Sequence, residues 1–129
     1  MTDTNQKRVL IIEDEIDLVD ALERELRHSG CEVFTARDGI TGLEIALQYE
    51  PNLILLDLLL PRLKGLPMLQ KLREYKWGQT VQVIVLTNFE DPSLIQEANT
   101  LGVTQYLVKS NYALADIIAM VKRELQHEK

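Results

Sequence analysis

Four short apolar runs in this chain each end in a polar residue, and this pattern constrains the fold more than any other feature. The runs cover residues 9–12, 53–56, 83–86 and 106–108, and the polar residues that follow them are Glu13 with Asp14, Asp57, Thr87 and Lys109. If the runs are parallel strands of one sheet, their carboxyl ends lie at one edge, where open α/β sheets bind ligands. The sequence therefore predicts a site that brings three carboxylates, a hydroxyl and an ammonium group together.

Helix-like segments alternate with the strand-like runs along the whole chain. The predicted strands are 8–12, 32–35, 53–56, 81–86 and 105–108, and the predicted helices are 17–28, 38–48, 66–75, 92–101 and a last helix that Asn111 caps and whose buried stripe ends at Leu125. Gly30 and Gly102 are the predicted stops of the first and fourth helices. This alternation predicts a (βα)5 α/β fold, a doubly wound parallel sheet with helices on both faces.

Length, charge and cysteine content narrow the class of protein. The 129 residues fit one domain, predicted as 1–129 with a core at 8–125. The net charge of −6 argues against direct binding to nucleic acid or to an anionic membrane, because both require a basic face. Cys31 is the only cysteine, so no intramolecular disulfide forms, and no apolar stretch approaches the ~20 residues of a membrane helix. We therefore expect a cytoplasmic protein.

Asp57 is followed by a loop that contains a proline and a glycine. On its position alone, a carboxylate after four apolar residues is as consistent with a polar strand end as with a nucleophile. Pro61 then bars continuation of the strand, and Gly65 permits a positive φ. These two residues favour the nucleophile.

The acidic residues after the first strand suggest a metal site. Glu13 and Asp14 lie where they could approach Asp57, and three carboxylates that close repel one another unless a cation holds them. Hard oxygen ligands suit Mg²⁺, and the chain has no Cys/His cluster for zinc. Glu15 and Asp17 are expected only to complement the dipole of the first helix.

Thr87 and Lys109 indicate a function only when they are considered together. Alone, a threonine is a common strand residue and a lysine a common surface residue. Beside a carboxylate that binds a metal, the hydroxyl and the ammonium would neutralise charge on a phosphoryl group during transfer. An anionic Asp57 could then attack phosphorus in line, and water could later reverse the modification.

With these residues in place, the chain resembles the receiver domains of response regulators in bacterial two-component signalling, over residues 8–125. The set that carries the resemblance is Ile12-Glu13-Asp14-Glu15, Asp57 with Pro61 and Gly65, Thr87 and Lys109. The resemblance implies a flavodoxin-like sheet, as in chemotaxis regulators, with strand order 2-1-3-4-5. It also implies that a histidine kinase or a phosphotransfer protein phosphorylates Asp57.

Roles for individual residues follow from the resemblance. It implies that Mg²⁺ is bound by Glu13, Asp14, Asp57 and the backbone carbonyl of Leu59. Thr87 and Lys109 would bind phosphoryl oxygens, and Tyr106 would reorient when the hydroxyl of Thr87 moves. Residues 91–125, which form the fourth helix, the fifth strand and the last helix, would bind a downstream protein or a second copy of the chain. No dedicated enzyme is implied, only phosphorylation of Asp57 from a phosphodonor and its slow reversal.

Several residues depart from the family pattern. Ser110 stands where proline usually follows the lysine, and a cis bond without proline costs ~3 kcal/mol, so we expect a trans bond or a strained exception. Asn88 replaces a small residue. Phe89 and Leu59 would line the path of the attacking water, which predicts slow autodephosphorylation. Glu13 replaces the commoner aspartate and is expected to hold the metal through water.

Three other classes of function compete with this interpretation. A phosphorylation-independent interaction module on the same fold would be supported only by Ser110 and Asn88. A phosphatase with an aspartyl-phosphate intermediate needs a second acid two residues after the nucleophile, where Leu59 stands. A nucleotide- or flavin-binding domain needs a glycine-rich first loop, where Glu13 and Asp14 place negative charge instead. The sequence leaves open whether the native protein is a stand-alone regulator or part of a longer one.

Overall fold

A computed structural model of the protein describes residues 6–126, which contain five parallel strands in one sheet and five helices. The strands are β1 (Arg8–Ile12), β2 (Glu32–Ala36), β3 (Leu53–Leu56), β4 (Gln82–Thr87) and β5 (Gln105–Val108). The helices are α1 (Ile16–His28), α2 (Gly39–Tyr49), α3 (Gly65–Leu72), α4 (Pro92–Thr100) and α5 (Leu114–Gln126), with short 3-10 turns at Trp77–Gln79 and Lys109–Asn111. The observed order β2-β1-β3-β4-β5 confirms the predicted fold.

The strand register brings the carboxyl ends of the central strands to the same level. Ile12 pairs with Leu56, and Leu56 pairs with Val85 of β4. Thr87 pairs with Val108, the last residue of β5. The residues that follow β1, β3 and β5 therefore meet the end of β4 at one edge of the sheet.

Clusters of buried apolar residues cover both faces of the sheet. Alternate strand residues such as Val9 and Ile11 pack with α1 and α5 on one face, and Leu10 and Ile12 pack with α2 and α3 on the other. Burying a side chain of this size stabilises the fold by ~1.5–3 kcal/mol, so both faces help to hold the sheet together. Helix α4 is held less firmly, because only Ala98 of its nine residues is buried.

The predicted glycine stops are confirmed. Gly30 and Gly102 have φ values of +97° and +77°, which favour glycine. After α1, the N–H of Gly30 donates to the carbonyl of Arg27 and the N–H of Cys31 to that of Leu26, a Schellman motif. Helix α4 ends with the same pair of bonds. No helix within residues 6–126 is long and apolar enough to cross a membrane.

The prediction that Asn111 caps the last helix is wrong. Asn111 belongs to a 3-10 turn, and α5 begins later, at Leu114. The Oδ2 of Asp116 accepts the N–H of Ala113, the residue before the helix, at 3.0 Å, which is the bond that the third helical residue makes in a capping box. The peptide bond between Lys109 and Ser110 is trans.

Helix α3 ends at Leu72, before the predicted end at residue 75. The chain turns back there, and Arg73 binds the segment that follows the helix. Arg73 directly follows the helix, and its guanidinium donates to the carbonyls of Gly78 and Val81, both at 2.8 Å. It also donates to the carbonyl of Leu101 at 2.8 Å. One half-buried arginine thereby joins the ends of α3 and α4 to the start of β4.

Candidate functional site

Glu13, directly after β1, is a buried carboxylate. Its N–H donates to the carbonyl of Ala36 at 2.9 Å, which continues the pairing with β2. Only 2% of the residue is exposed. Oε1 lies 2.7 Å from Nζ of Lys109, and Oε2 accepts the N–H of Glu15 at 3.0 Å. Both oxygens are therefore held in place by the protein.

Asp57, directly after β3, is also buried. Its N–H donates to the carbonyl of Ile12 at 3.0 Å, which fixes it beside Glu13. Oδ1 accepts the N–H of Leu59 at 3.4 Å, and Oδ2 lies 3.4 Å from Nζ of Lys109. Each oxygen of the carboxylate therefore faces a donor.

Lys109, directly after β5, places its ammonium among three carboxylates. Nζ lies 2.7 Å from Glu13, 3.3 Å from Glu15 and 3.4 Å from Asp57, and 12% of the side chain is exposed. Burial disfavours the charged ammonium, but the hydrogen bond to Glu13 and the charge of Asp57 outweigh it and raise the pKa of Lys109. The group therefore stays cationic at neutral pH.

Glu13, Asp14 and Asp57 form an acidic cluster. Its negative charge exceeds the single positive charge of Lys109. Burial is the main cause that raises the pKa of Glu13 to about 7, and the charge of Asp57 adds to it. Oxygens of Glu13, Asp14 and Asp57 lie within 4.8 Å of one another, and Asp14 is exposed to solvent. Hard oxygen donors with solvent on one side suit a divalent cation such as Mg²⁺. The residues present therefore fit the predicted metal.

Thr87 is the last residue of β4 and is fully buried. Within residues 6–126, nothing forms a hydrogen bond with its Oγ1. A buried hydroxyl without a partner is destabilising by about 1–3 kcal/mol, which is tolerated where a ligand supplies the missing bond.

Tyr106 lies on β5, where it pairs with Val85 of β4. Its hydroxyl donates to the carbonyl of Phe89 at 2.7 Å, in the connection between β4 and α4. Burial, followed by the charges of Asp91 and Asp57, raises the pKa of Tyr106, so the hydroxyl remains a donor.

Sequence reasoning missed the role of Glu15. It was expected only to complement the dipole of α1, but its Oε1 contacts Lys109. Glu15 lies at the N-cap of α1, and its side chain makes no capping bond. Glutamate is not among the residues preferred at that position, which was the available signal that the side chain serves another partner.

The reason given for Gly65 was also wrong. Gly65 has no positive φ, and the left-handed residue in this loop is Arg62, at φ +67°. Glycine is needed because a Cβ at this position would overlap the carbonyl oxygen of Asp57. The helix therefore begins in direct contact with the backbone of the candidate nucleophile.

A cavity of about 280 Å³ adjoins Lys109 on the side of α1 and α5. Its lining includes the two residues that depart from the family pattern, Asn88 and Ser110, together with Glu15 and Tyr112. Both Asn88 and Ser110 are exposed to solvent.

Comparisons with known proteins identify the family of the chain. The family model described as the response regulator receiver domain matches residues 9–122. Response regulator ArlR of Staphylococcus saprophyticus is 37% identical over 122 residues, which are 92% of this chain and 54% of the relative. ArlR of Staphylococcus aureus is 36% identical over 124 residues, which are 94% of this chain and 55% of the relative. The chain thus spans about half the length of the curated relatives it matches.

Solved structures share the fold. A CheY-like receiver domain protein from Methanospirillum hungatei has a TM-score of 0.85 and 26% identity, over 94% of each chain. The Mn(2+)-bound form of response regulator Rcp1 has a TM-score of 0.77 and 31% identity, over 91% of this chain and 90% of the other. Together with the family match over most of the sequence, these similarities establish that the chain belongs to the response regulator receiver domain family.

Proposed function

We propose that this chain is a single phosphoacceptor receiver domain in which Asp57 takes a phosphoryl group from a histidine kinase or a phosphotransfer protein. The observation that carries the proposal is the position of the Lys109 ammonium, which lies 2.7 Å from Glu13 and 3.4 Å from Asp57. A largely buried cation that contacts several carboxylates at a sheet edge is suited to receive an anion at that edge.

Asp57 is the nucleophile of the proposed reaction. An oxygen of its carboxylate attacks phosphorus, and the bond between phosphorus and the donor's leaving group breaks. The leaving group takes the electron pair, as acetate does from acetyl phosphate, and Asp57 becomes an acyl phosphate. Water later attacks the same phosphorus, and the bond between phosphorus and the Asp57 oxygen breaks. Inorganic phosphate leaves with the protons of the water and the carboxylate is restored, so the modification reverses without a separate enzyme.

Lys109 and Thr87 stabilise the charge that develops on the phosphoryl oxygens. Lys109 already lies beside Oδ2 of Asp57, and the buried Thr87 hydroxyl has a donor to offer. Glu13, Asp14, Asp57 and the backbone carbonyl of Leu59 would hold Mg²⁺. When bound, Mg²⁺ supplies positive charge that offsets the repulsion between these carboxylates and the incoming phosphoryl group.

The same site is proposed to switch the surface of residues 91–125. A phosphoryl oxygen that binds the Thr87 hydroxyl would draw the end of β4 inward, and the bond from Tyr106 to Phe89 lies in the connection that follows. Helix α4 begins beyond this connection and buries only Ala98. A small displacement of its start therefore costs little free energy. The surface would then bind a downstream protein or a second copy of the chain, in the cytoplasm and without direct contact to nucleic acid.

The alternative, an interaction module that works without phosphorylation, is not favoured. It rests on Asn88 and Ser110, and both lie at the cavity beside Lys109. Lys109 still reaches Asp57 in their presence.

Intact mass measured after incubation with Mg²⁺ and acetyl phosphate tests the proposal. Wild type and Asp20→Asn, an exposed acid on α1 outside the acidic cluster, are expected to gain one phosphoryl group. Asp57→Asn, and wild type in EDTA, are expected to gain none. A folded wild type without the adduct, or an adduct that persists in Asp57→Asn, contradicts the proposal.

A further inference from the structure

The side chain of Glu15 is directed to Lys109 and away from the helix that it begins. It stands at the N-cap of α1 without a capping bond, and its Oε1 lies 3.3 Å from Nζ of Lys109. An acid that capped the helix with its side chain would accept a free N–H group of the first turn, and Glu15 makes no such bond. The contact with Lys109 is therefore a separate feature of the site.

The backbone of Glu15 is fixed relative to Lys109. Its N–H donates to Oε2 of Glu13 at 3.0 Å, while Oε1 of the same carboxylate lies 2.7 Å from Nζ of Lys109. Its carbonyl accepts the N–H of Val19 at 3.0 Å, in the first turn of α1. The carboxylate of Glu13 therefore holds Glu15 and Lys109 close together.

The three carboxylates around the ammonium differ in exposure. The Glu13 and Asp57 side chains are 3% and 8% exposed, whereas the Glu15 side chain is 56% exposed. An ammonium has three N–H donors, so a further anion must displace an existing partner or share a donor with it. Water can solvate a released Glu15, but a released Glu13 would remain buried and unpaired.

We propose that Glu15 is a positioning residue that competes with the phosphoryl group for the Lys109 ammonium and thereby slows phosphorylation of Asp57. This inference rests on the proposed function. Glu15 acts in two ways that reinforce each other. Its carboxylate occupies an N–H group of Lys109, and its negative charge beside Lys109 repels an anionic phosphodonor that approaches the ammonium.

The size of the effect follows from the exposure of Glu15. Exposed ion pairs are weak, so removing the charge is expected to raise the rate of phosphorylation about two- to fivefold at low ionic strength. Salt screens exposed charges, so the gain is expected to shrink towards none in concentrated salt. A change that acted only through the stability of the fold would not follow ionic strength in this way.

The test compares Glu15→Gln with Asp17→Asn in the full chain. Both variants remove one acidic charge near the start of α1, but Asp17 is not among the carboxylates that contact Lys109. The rate of mass gain with Mg²⁺ and acetyl phosphate is measured at low and high salt. Glu15→Gln is expected to be faster than wild type at low salt only, and Asp17→Asn is expected to match wild type.

A spectroscopic measurement checks the contact itself. In the unphosphorylated protein, the ¹⁵N signal of the Lys109 ammonium is expected to shift in Glu15→Gln and to stay in place in Asp17→Asn. The Glu15 side chain is exposed and makes no capping bond, so the variant is expected to fold, which far-ultraviolet circular dichroism verifies.

Distinct results overturn the inference. An unchanged or slower rate in Glu15→Gln at low salt contradicts it, as does an equal gain in Asp17→Asn or a gain that persists in high salt. A wild type that is never phosphorylated contradicts the proposed function itself. A wild type that is phosphorylated, with no effect of Glu15→Gln, contradicts only the role of Glu15.

Discussion

Nζ of Lys109 lies closer to Oε1 of Glu13, at 2.7 Å, than to Oδ2 of Asp57, at 3.4 Å. The ammonium that is proposed to serve the phosphoacceptor is thus bound most tightly by a neighbouring acid. Both partners are largely buried, so each depends on the other for compensation of its charge. This pair links the chemistry of the site to the stability of the fold.

We predict that Lys109→Met lowers the free energy of unfolding by about 3 kcal/mol at pH 8 in EDTA, because it leaves Glu13 buried without its cation. In a Glu13→Gln background the same change is expected to be far less destabilising. Urea denaturation of the four proteins gives the coupling energy, with Lys122→Met, an exposed lysine on α5, as the control. Equal losses in both backgrounds would show that the two side chains are not coupled.

We also predict that the stability of the protein without metal depends on pH through Glu13. Burial, and secondarily the charge of Asp57, raises its pKa from 4.5 to about 7 in the folded protein. A raised pKa means that its stabilising contribution is present below pH 4.5 and is lost as pH rises through 7. In EDTA, Glu13→Gln should therefore gain stability relative to wild type between pH 5 and pH 8, by about 2–3 kcal/mol.

Urea denaturation of wild type and Glu13→Gln across this pH range provides the measurement. A stability difference that stays constant from pH 5 to pH 8 would mean that Glu13 is ionised throughout. Glu13→Gln is the reference for wild type at each pH, because the side chain at position 13 does not titrate in this variant.

We expect Gly65→Ala to damage the site through the backbone. The new Cβ would overlap the carbonyl of Asp57, so either α3 or the nucleophile must move. Overpacking of this kind is destabilising by about 1–3 kcal/mol, and displacement of Asp57 should slow phosphorylation. Gln70→Ala, on the exposed side of the same helix, is the control, and thermal unfolding with phosphorylation rates gives the result. A Gly65→Ala variant as stable and as active as this control would refute the close contact.

Hydrolysis of the phosphorylated form is predicted to be slow. Leu59 and Phe89 are 46% and 43% exposed and offer the attacking water no hydrogen bond from their side chains. Leu59→Gln and Phe89→Gln should each shorten the lifetime about three- to tenfold, because a hydrogen bond contributes ~0.5–1.5 kcal/mol. Decay of the mass adduct after removal of the phosphodonor measures the lifetime.

Ile40→Gln is the matched control for these two variants. Ile40 is an apolar residue of α2 with 37% exposure, and it lies outside the proposed site. The same acceleration in this control, or a wild-type half-life of seconds, would count against a role for Leu59 and Phe89.

Local sequence patterns predicted the elements well where the determinants are local. The apolar run 53–56 became β3, buried along its whole length. Gly30 and Gly102 ended their helices because each adopts a positive φ that few other residues tolerate. The assignment of Asn111 as a cap failed because Lys109–Asn111 form a 3-10 turn and α5 begins only at Leu114.

The sequence by itself determined the parallel sheet and which residues stand at its carboxyl edge. Both follow from short-range periodicity and from the rule that parallel strands end together. Only the tertiary structure decided how those residues share their partners. Lys109 binds Glu13 more closely than Asp57, and it also binds Glu15, which is 94 positions away in the chain. The reach of a side chain and the exposure of its partners arise from packing of distant segments, and no local pattern encodes them.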